Sequence, residues 1–348
     1  MRKVSKHERA PNEATGAMPA TTEPVLVSVR TPTYRRPAML KRALASIIAQ
    51  DVENWRCDVY DDDPEGSGRA VCDSFGDARI IYHHNQPQLF ASRNIDHCFT
   101  ASNPHGAEFF CVVEDDNYIL PGFFSENIAV CRDRKVEIVL RNQRFEHASG
   151  TDEARLSKQG VLDGLFTEGL YAPDRFRMSM LCGIGVSNGG LFWSRRAKSQ
   201  LEIQYFCTAT MQEYMRTFSI VEPIYVAMAP LAVWAENAGQ TTRNSELKAS
   251  YLRRELDLKR SVQALRQYVW KGSPAALRRA YLTDPVFAIA PSERATSLSK
   301  ALIPHGRAGA DPKVSAEMVA RGVAIRVLGR LQPELKNFIR SRREAWGS

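Results

Sequence analysis

The sequence predicts an α/β fold, a mostly parallel sheet with helices on both faces, followed by a helical C-terminal extension. Three observations predict it. Short apolar runs rich in β-branched residues recur at 25–30, 56–60, 79–82 and 108–113, and each closes on polar residues. Helical periodicity falls between them, and strands alternating with helices imply parallel pairing beneath two helix layers. From about Ser245 the alternation gives way to long helical patterns.

The first unit is a strand, a turn and a helix. Val25 to Arg30 runs into Thr31-Pro32-Thr33, which reads as strand then turn. Pro37 stands where a helix would begin, and Leu40, Ala43, Leu44, Ile47 and Ile48 fall on one helical face. Residues 56–60 lead into Asp61-Asp62-Asp63, 79–82 into His83-His84-Asn85, and 108–113 into Glu114-Asp115-Asp116, with a helix predicted near 89–101. Past residue 140 the pattern weakens into a polar stretch from Glu146 to Lys158. Strands near 186–193 and 223–228 then flank a helix near 205–217. Leu252, Leu256, Val262, Leu265 and Val269 mark one C-terminal helix, and Val327, Leu328, Leu331, Leu335, Phe338 and Ile339 another with Pro333 inside it. This reading divides the chain into a disordered leader (1–23), an α/β domain (24–240) and a basic helical domain (241–348), with the boundary at 238–246.

Composition narrows the function classes. The chain has 348 residues, 44% of them hydrophobic, enough for a sizeable core. Its seven cysteines are scattered and never in a CxxC spacing, a pattern that suits a reducing cytoplasm. No run approaches the eighteen or so apolar residues of a membrane span. The net charge of +8 is unevenly spread: from Arg243 onward 21 Lys or Arg face 9 Asp or Glu, and the rest of the chain holds 26 against 30. A basic tail suggests an anionic partner, and Arg321, Arg326, Arg330, Lys336, Arg340, Arg342 and Arg343 beside an apolar stripe would suit the surface of an anionic membrane. The same face would equally serve for packing on the α/β domain or for an oligomer interface. Nucleic acid is disfavoured, because few aromatic residues interleave with the basic ones and no recognition motif is present.

The chemistry is carried by carboxylates. Asp61 to Asp63 and Glu114 to Asp116 each follow an apolar strand directly, so both clusters should project at the same sheet edge, where ligands bind in such folds. Converging carboxylates repel one another, and a hard divalent cation with oxygen ligands offsets that most simply. Mg²⁺ or Mn²⁺ held by one or two carboxylates would clamp a diphosphate. The sequence lacks GxxxxGK[ST] and GxGxxG, so no familiar glycine-rich loop cradles phosphate.

A resemblance makes this specific. Val27 to Leu40 with Ala49-Gln50, Val59-Tyr60-Asp61-Asp62, Ala91-Ser92-Arg93-Asn94 and Phe110 to Asn117 occur in the order of the motifs of family-two inverting glycosyltransferases of GT-A fold. Ser187 to Arg196 is similar to that family's glycine-rich strand, and Gln212-Glu213-Tyr214 lies where its base motif usually stands. The resemblance covers roughly residues 24–240. It implies a nucleotide-diphospho-sugar donor, most commonly linked to UDP, and a hydroxyl acceptor that is a sugar, a lipid-linked glycan or a small molecule. It further implies Mn²⁺ or Mg²⁺ at Asp116, and Glu213 as the general base. Thr31, Pro32, Tyr34, Asp61, Asp62, Arg93, Glu114 and Asp115 would bind the donor, with Arg195 and Arg196 flanking the diphosphate. Polysaccharide or glycoconjugate synthesis in the cytoplasm, at the inner membrane face, is the setting this implies. A sugar nucleotidyltransferase and a catalytically inactive binding module of the same fold are the alternatives.

Overall fold

The computed structural model describes residues 26–183, 185–236, 249–306 and 310–347. The expected leader at 1–23 and the expected boundary at 238–246 lie outside the described residues. In chain order the elements are Val27–Thr33 (β1), Pro37–Ile48 (α1), Trp55–Asp61 (β2), Gly68–Phe75 (α2), Ile80–His84 (β3), Ala91–His97 (α3), Phe109–Val112 (β4), Tyr118–Ile119 (β5), Phe123–Arg134 (α4) and Ile138–His147 (β6). Then come Arg155–Gly160 (β7), Gly169–Tyr171 (β8), Pro173–Met178 (α5), Leu191–Ser194 (β9), Ala209–Ser219 (α6) and Ile224–Ala235 (β10). Five helices complete the described chain: Ala249–Gly272 (α7), Ala275–Ala280 (α8), Pro291–Lys300 (α9), Pro312–Leu328 (α10) and Pro333–Glu344 (α11).

The sheet runs β3-β2-β1-β4-β9-β6-β10-β5, with β7 on β6 and β8 on β10. β1 pairs in parallel with both β2 and β4, whereas β9 is antiparallel to β4 and β6. The strands alternate between two cores. Phe109, Cys111 and Val139 join Val27, Val29, Leu40 and Leu44 on one face; Phe110, Val112, Ile138 and Leu140 join Met215, Phe218 and Val226 on the other. Burial on both sides is why these strands read as unbroken apolar runs rather than alternating ones.

Four differences from the sequence reading have physical causes. β1 continues through Pro32 to Thr33, because β4 pairs with it only as far as Arg30 and a missing N–H costs nothing on the unpaired side. β6 is hidden in sequence by Arg141, Asn142 and Gln143, which are buried yet hydrogen-bonded: Arg141 Nε donates to Asn127 Oδ1 at 3.0 Å, and Asn142 Nδ2 to Asp163 Oδ1 at 2.9 Å. The helices α2 and α4 also escaped the sequence pattern, α2 being short and α4 burying five residues without a clean apolar stripe. The single C-terminal helix with Pro333 inside is really two, since proline lacks the N–H an interior turn needs and instead opens α11.

That break separates the apolar stripe. Leu335, Phe338 and Ile339 of α11 are buried in the same core as Val262, Leu265 and Val269 of α7 and Met215 of α6. The basic C-terminal helices therefore close one face of the sheet. On α10, by contrast, Val319, Val323 and Val327 share one exposed face. Among the described residues no helix is long and apolar enough to cross a membrane.

Candidate active site

The parallel strands bring the carboxyl ends of β1, β2 and β4 to one edge. Asp115 is 4% exposed and sits against the end of β1: its Oδ2 accepts from Thr33 Oγ1 at 2.8 Å and from the Tyr34 N–H at 3.3 Å. Arg36 Nη1 bridges Asp115 Oδ1 at 3.2 Å and Asp116 Oδ2 at 2.7 Å. Arg42, on α1, donates to the Asp116 carbonyl at 2.7 Å and to Glu146 Oε2 at 2.9 Å. Asn117 closes the turn, donating to Glu114 Oε2 at 2.8 Å and accepting from the Ala235 N–H of β10 at 3.0 Å. An acidic tripeptide is thus fixed to both halves of the sheet.

β9 delivers the opposite wall. Because it is antiparallel, its beginning lies at the site edge, where Asn188 N–H donates to Glu213 Oε1 at 3.2 Å. A Cβ on Gly190 would lie 2.5 Å from the Arg141 carbonyl oxygen, so only glycine lets this turn press against β6. Glu213 projects from α6, whose amino end is capped by the Thr208 hydroxyl. One turn further on, fully buried Arg216 donates to Asn188 Oδ1 at 2.8 Å, to the Leu201 carbonyl at 3.0 Å and to Asp96 Oδ1 at 2.6 Å.

The charges of this edge interact. Burial, reinforced by Asp116, Glu213 and Asp115, holds the Glu114 carboxyl well above the usual carboxylate range, with Arg216 opposing. Burial and Asp116 push Asp115 up in the same direction, against Arg36 and the Thr33 hydroxyl. Glu213 and the Glu114–Asp116 run, a hundred residues apart in sequence, thus form one electrostatic unit.

Other expected residues are held by the fold or lie farther from the acidic run. Asp61 and Asp62 are buried and committed to loops. Asp61 accepts from the amides of Asp63 and Gly68 and from Tyr82 Oη at 3.0, 2.8 and 3.0 Å. Asp62 accepts from the Leu89 and Phe90 amides at 2.6 and 2.7 Å. Thr31 is fully buried, with its hydroxyl 3.6 Å from Cys57 Sγ, and Pro32 is buried beside it, which leaves Tyr34, 43% exposed, as the accessible member of that trio. Arg93 is exposed on α3, its guanidinium 5.0 Å from the Phe206 ring centre. Arg196 pairs with Glu137 at 3.2 Å, at the amino end of β6 and hence at the edge opposite the carboxylates; antiparallel β9 ends there. Sequence reasoning gave no role to Arg36, Arg42, Arg216 or Asn188; Arg36 and Asn188 lie within segments that carry the family resemblance, and Arg216 falls one turn beyond Glu213.

Among the described residues no group of three or more His, Cys, Asp or Glu is arranged to hold a metal ion. The donor set is nonetheless compatible with Mn²⁺ or Mg²⁺. Glu114, Asp115 and Asp116 offer only hard oxygen donors, their mutual repulsion is what a cation relieves, and such ions commonly take one or two protein carboxylates and fill the rest with water and substrate phosphate.

Comparison with known proteins places this geometry. Residues 28–191, from β1 to the start of β9, match the model of glycosyl transferase family 2. The chain is a glycosyltransferase, and this stretch carries its likeness to family 2. The match includes Glu114–Asp116 and Asn188 and stops short of Glu213. The glycosyltransferase is also similar to a crystal structure of S. aureus TarS 1-349 in complex with UDP-GlcNAc, with a TM-score of 0.53 at 12% identity over 92% of this chain and 89% of that one. A second crystal structure of TarS 1-349 gives a TM-score of 0.51 at 11% identity with the same coverages. At such identities the likeness establishes the GT-A fold alone. No curated protein sequence matches the chain at a significant level.

Proposed function

We propose that this glycosyltransferase moves a sugar from a nucleoside diphosphate, a UDP-sugar, to a hydroxyl acceptor with inversion at the anomeric carbon. The observation that carries the reading is the convergence of Glu213 with Glu114–Asp116 at the carboxyl edge of the sheet. Glu213 takes the acceptor proton, the acceptor oxygen bonds to the anomeric carbon, and the bond to the departing diphosphate breaks on the opposite side. Asn188, through its N–H on Glu213 and its amide on Arg216, orients the base. Asp116 would hold the divalent cation, which would supply counter-charge to the diphosphate. Tyr34 walls the nucleoside, while Thr31, Pro32, Asp61 and Asp62 shape that wall from behind. UDP-GlcNAc in TarS supports the donor class.

Polysaccharide or glycoconjugate synthesis at a cytoplasmic membrane surface is the setting we propose, with Val319, Val323 and Val327 of α10 as the peripheral contact. The family match weighs against a nucleotidyltransferase. Titration calorimetry of UDP-sugars with and without Mn²⁺ tests the reading against an inactive fold. Binding should require Mn²⁺ and be lost in Asp116→Asn; metal-independent binding unchanged by that substitution overturns the metal assignment.

A further inference from the structure

One cavity lies apart from the carboxylate edge. It is an open groove of about 1160 Å³ between the 198–206 segment and α11. Arg93 and Phe206 line it near the amino end of α6, and Ser219, the last residue of α6, and Val221 line it at the carboxyl end. The eleven residues of α6 span roughly 16 Å, so the groove suits an extended ligand rather than a single sugar.

One end approaches the catalytic edge. Gln212, the neighbour of Glu213, donates through Nε2 to the Ser92 carbonyl at 2.8 Å, and Ser92 precedes Arg93 on α3. Arg93 rests on the Phe206 ring, which is 67% exposed.

The lining has three chemistries. Arg93, Lys198, Arg340 and Arg342 bring four positive charges, and Glu334 and Glu344 bring two negative ones. None of the four cations has an ion-pair partner among the described residues. Tyr205 and Phe206 offer ring faces, on which the C–H faces of sugar rings stack. Gln204, Gln332 and Asn337 offer amides that both donate to and accept from hydroxyls. A lipid surface would call for none of those amides, and a bare polyanion for neither rings nor amides.

We propose that this groove binds the acceptor, and that the acceptor is an acidic oligosaccharide. Its rings lie along Tyr205 and Phe206, its acidic groups face Lys198, Arg340 and Arg342, and its reacting hydroxyl reaches Glu213 past Arg93. The assignment rests on the sugar-transfer reading above and names the substrate class that reading leaves open.

The test measures binding of an oligogalacturonate hexamer to the full chain, beside the fully methyl-esterified hexamer, inorganic polyphosphate and phosphatidylglycerol vesicles. Lys198→Glu and Arg340→Glu alter exposed side chains outside the catalytic edge, and circular dichroism confirms their folding. The hexamer should bind, weaken with salt, and lose about tenfold in affinity with each charge reversal, while the neutral ester binds poorly. UDP-sugar affinity of both variants should match that of the native chain. Absence of hexamer binding, binding unmoved by the reversals, or a preference for polyphosphate or vesicles overturns the groove assignment. Hexamer binding in a chain that binds no UDP-sugar would instead overturn the transferase reading and leave the groove standing.

Discussion

Arg216→Met tests how the buried scaffold supports the site. Arg216 is fully buried, its guanidinium 3.7 Å from the Phe99 ring centre, and it holds three acceptors: Asp96 Oδ1, Asn188 Oδ1 and the Leu201 carbonyl. Methionine fills much of the volume but bonds to none of them. Asp96 keeps the Ile203 and Gln204 amides at 2.9 and 2.7 Å, so its charge is not wholly stranded, while Asn188 and Leu201 each lose a partner. Breaking a buried pair from one side costs about 3–5 kcal/mol. With a urea slope near 3 kcal/mol/M, the unfolding midpoint should fall by about 1–1.7 M. Adding Asp96→Asn removes the unpaired charge and should recover part of that loss, a coupling that a double-mutant cycle reads directly. A loss below about 1 kcal/mol, or strictly additive single variants, would refute the idea that Arg216 and Asp96 form the buried strut beneath Glu213.

Two further outcomes follow from the same geometry. Burial alone would raise the Asp63 carboxyl, but hydrogen bonds from Arg35, Ser67 and the Glu65 amide outweigh it and hold it at about 2. A depressed carboxylate stabilises above its unfolded pKa near 4 and loses that contribution as pH falls toward 2, so Arg35→Ala should flatten the urea midpoint between about pH 4 and 2. Asp62→Ala frees the Leu89 and Phe90 amides and should cost about 1–3 kcal/mol, with faster hydrogen exchange at those two positions; unchanged exchange would return Asp62 to a direct role with the nucleoside.

Much of the fold was legible in sequence because the parallel strands are buried on both faces and so appear as apolar runs that stop at polar residues. β1, β2, β3 and β4 appear within three residues of their expected ends. β6 was not legible, since a strand that carries Arg141, Asn142 and Gln143 into the core looks like a loop until Asn127, Asp163, Met228 and Ser187 are seen to bond them. The acidic run was legible because three carboxylates after a strand are costly without a reason. The cations that hold it were not: Arg36 and Arg42 face Asp115 and Asp116 across about eighty residues of chain, and no local pattern encodes that meeting. The Asp61-Asp62 pair shows the reverse, a motif conspicuous in sequence whose carboxylates the structure spends on its own loops.

The central claim is that Glu213, brought beside the acidic run by α6, takes the acceptor proton. Single-turnover transfer of a labelled sugar from UDP-sugar by Glu213→Gln, with donor affinity measured on the same sample, addresses it most directly. The account predicts donor affinity within about twofold of the native chain and a transfer rate lower by about 10²–10⁴. Transfer at the native rate, with donor affinity unchanged, would contradict it.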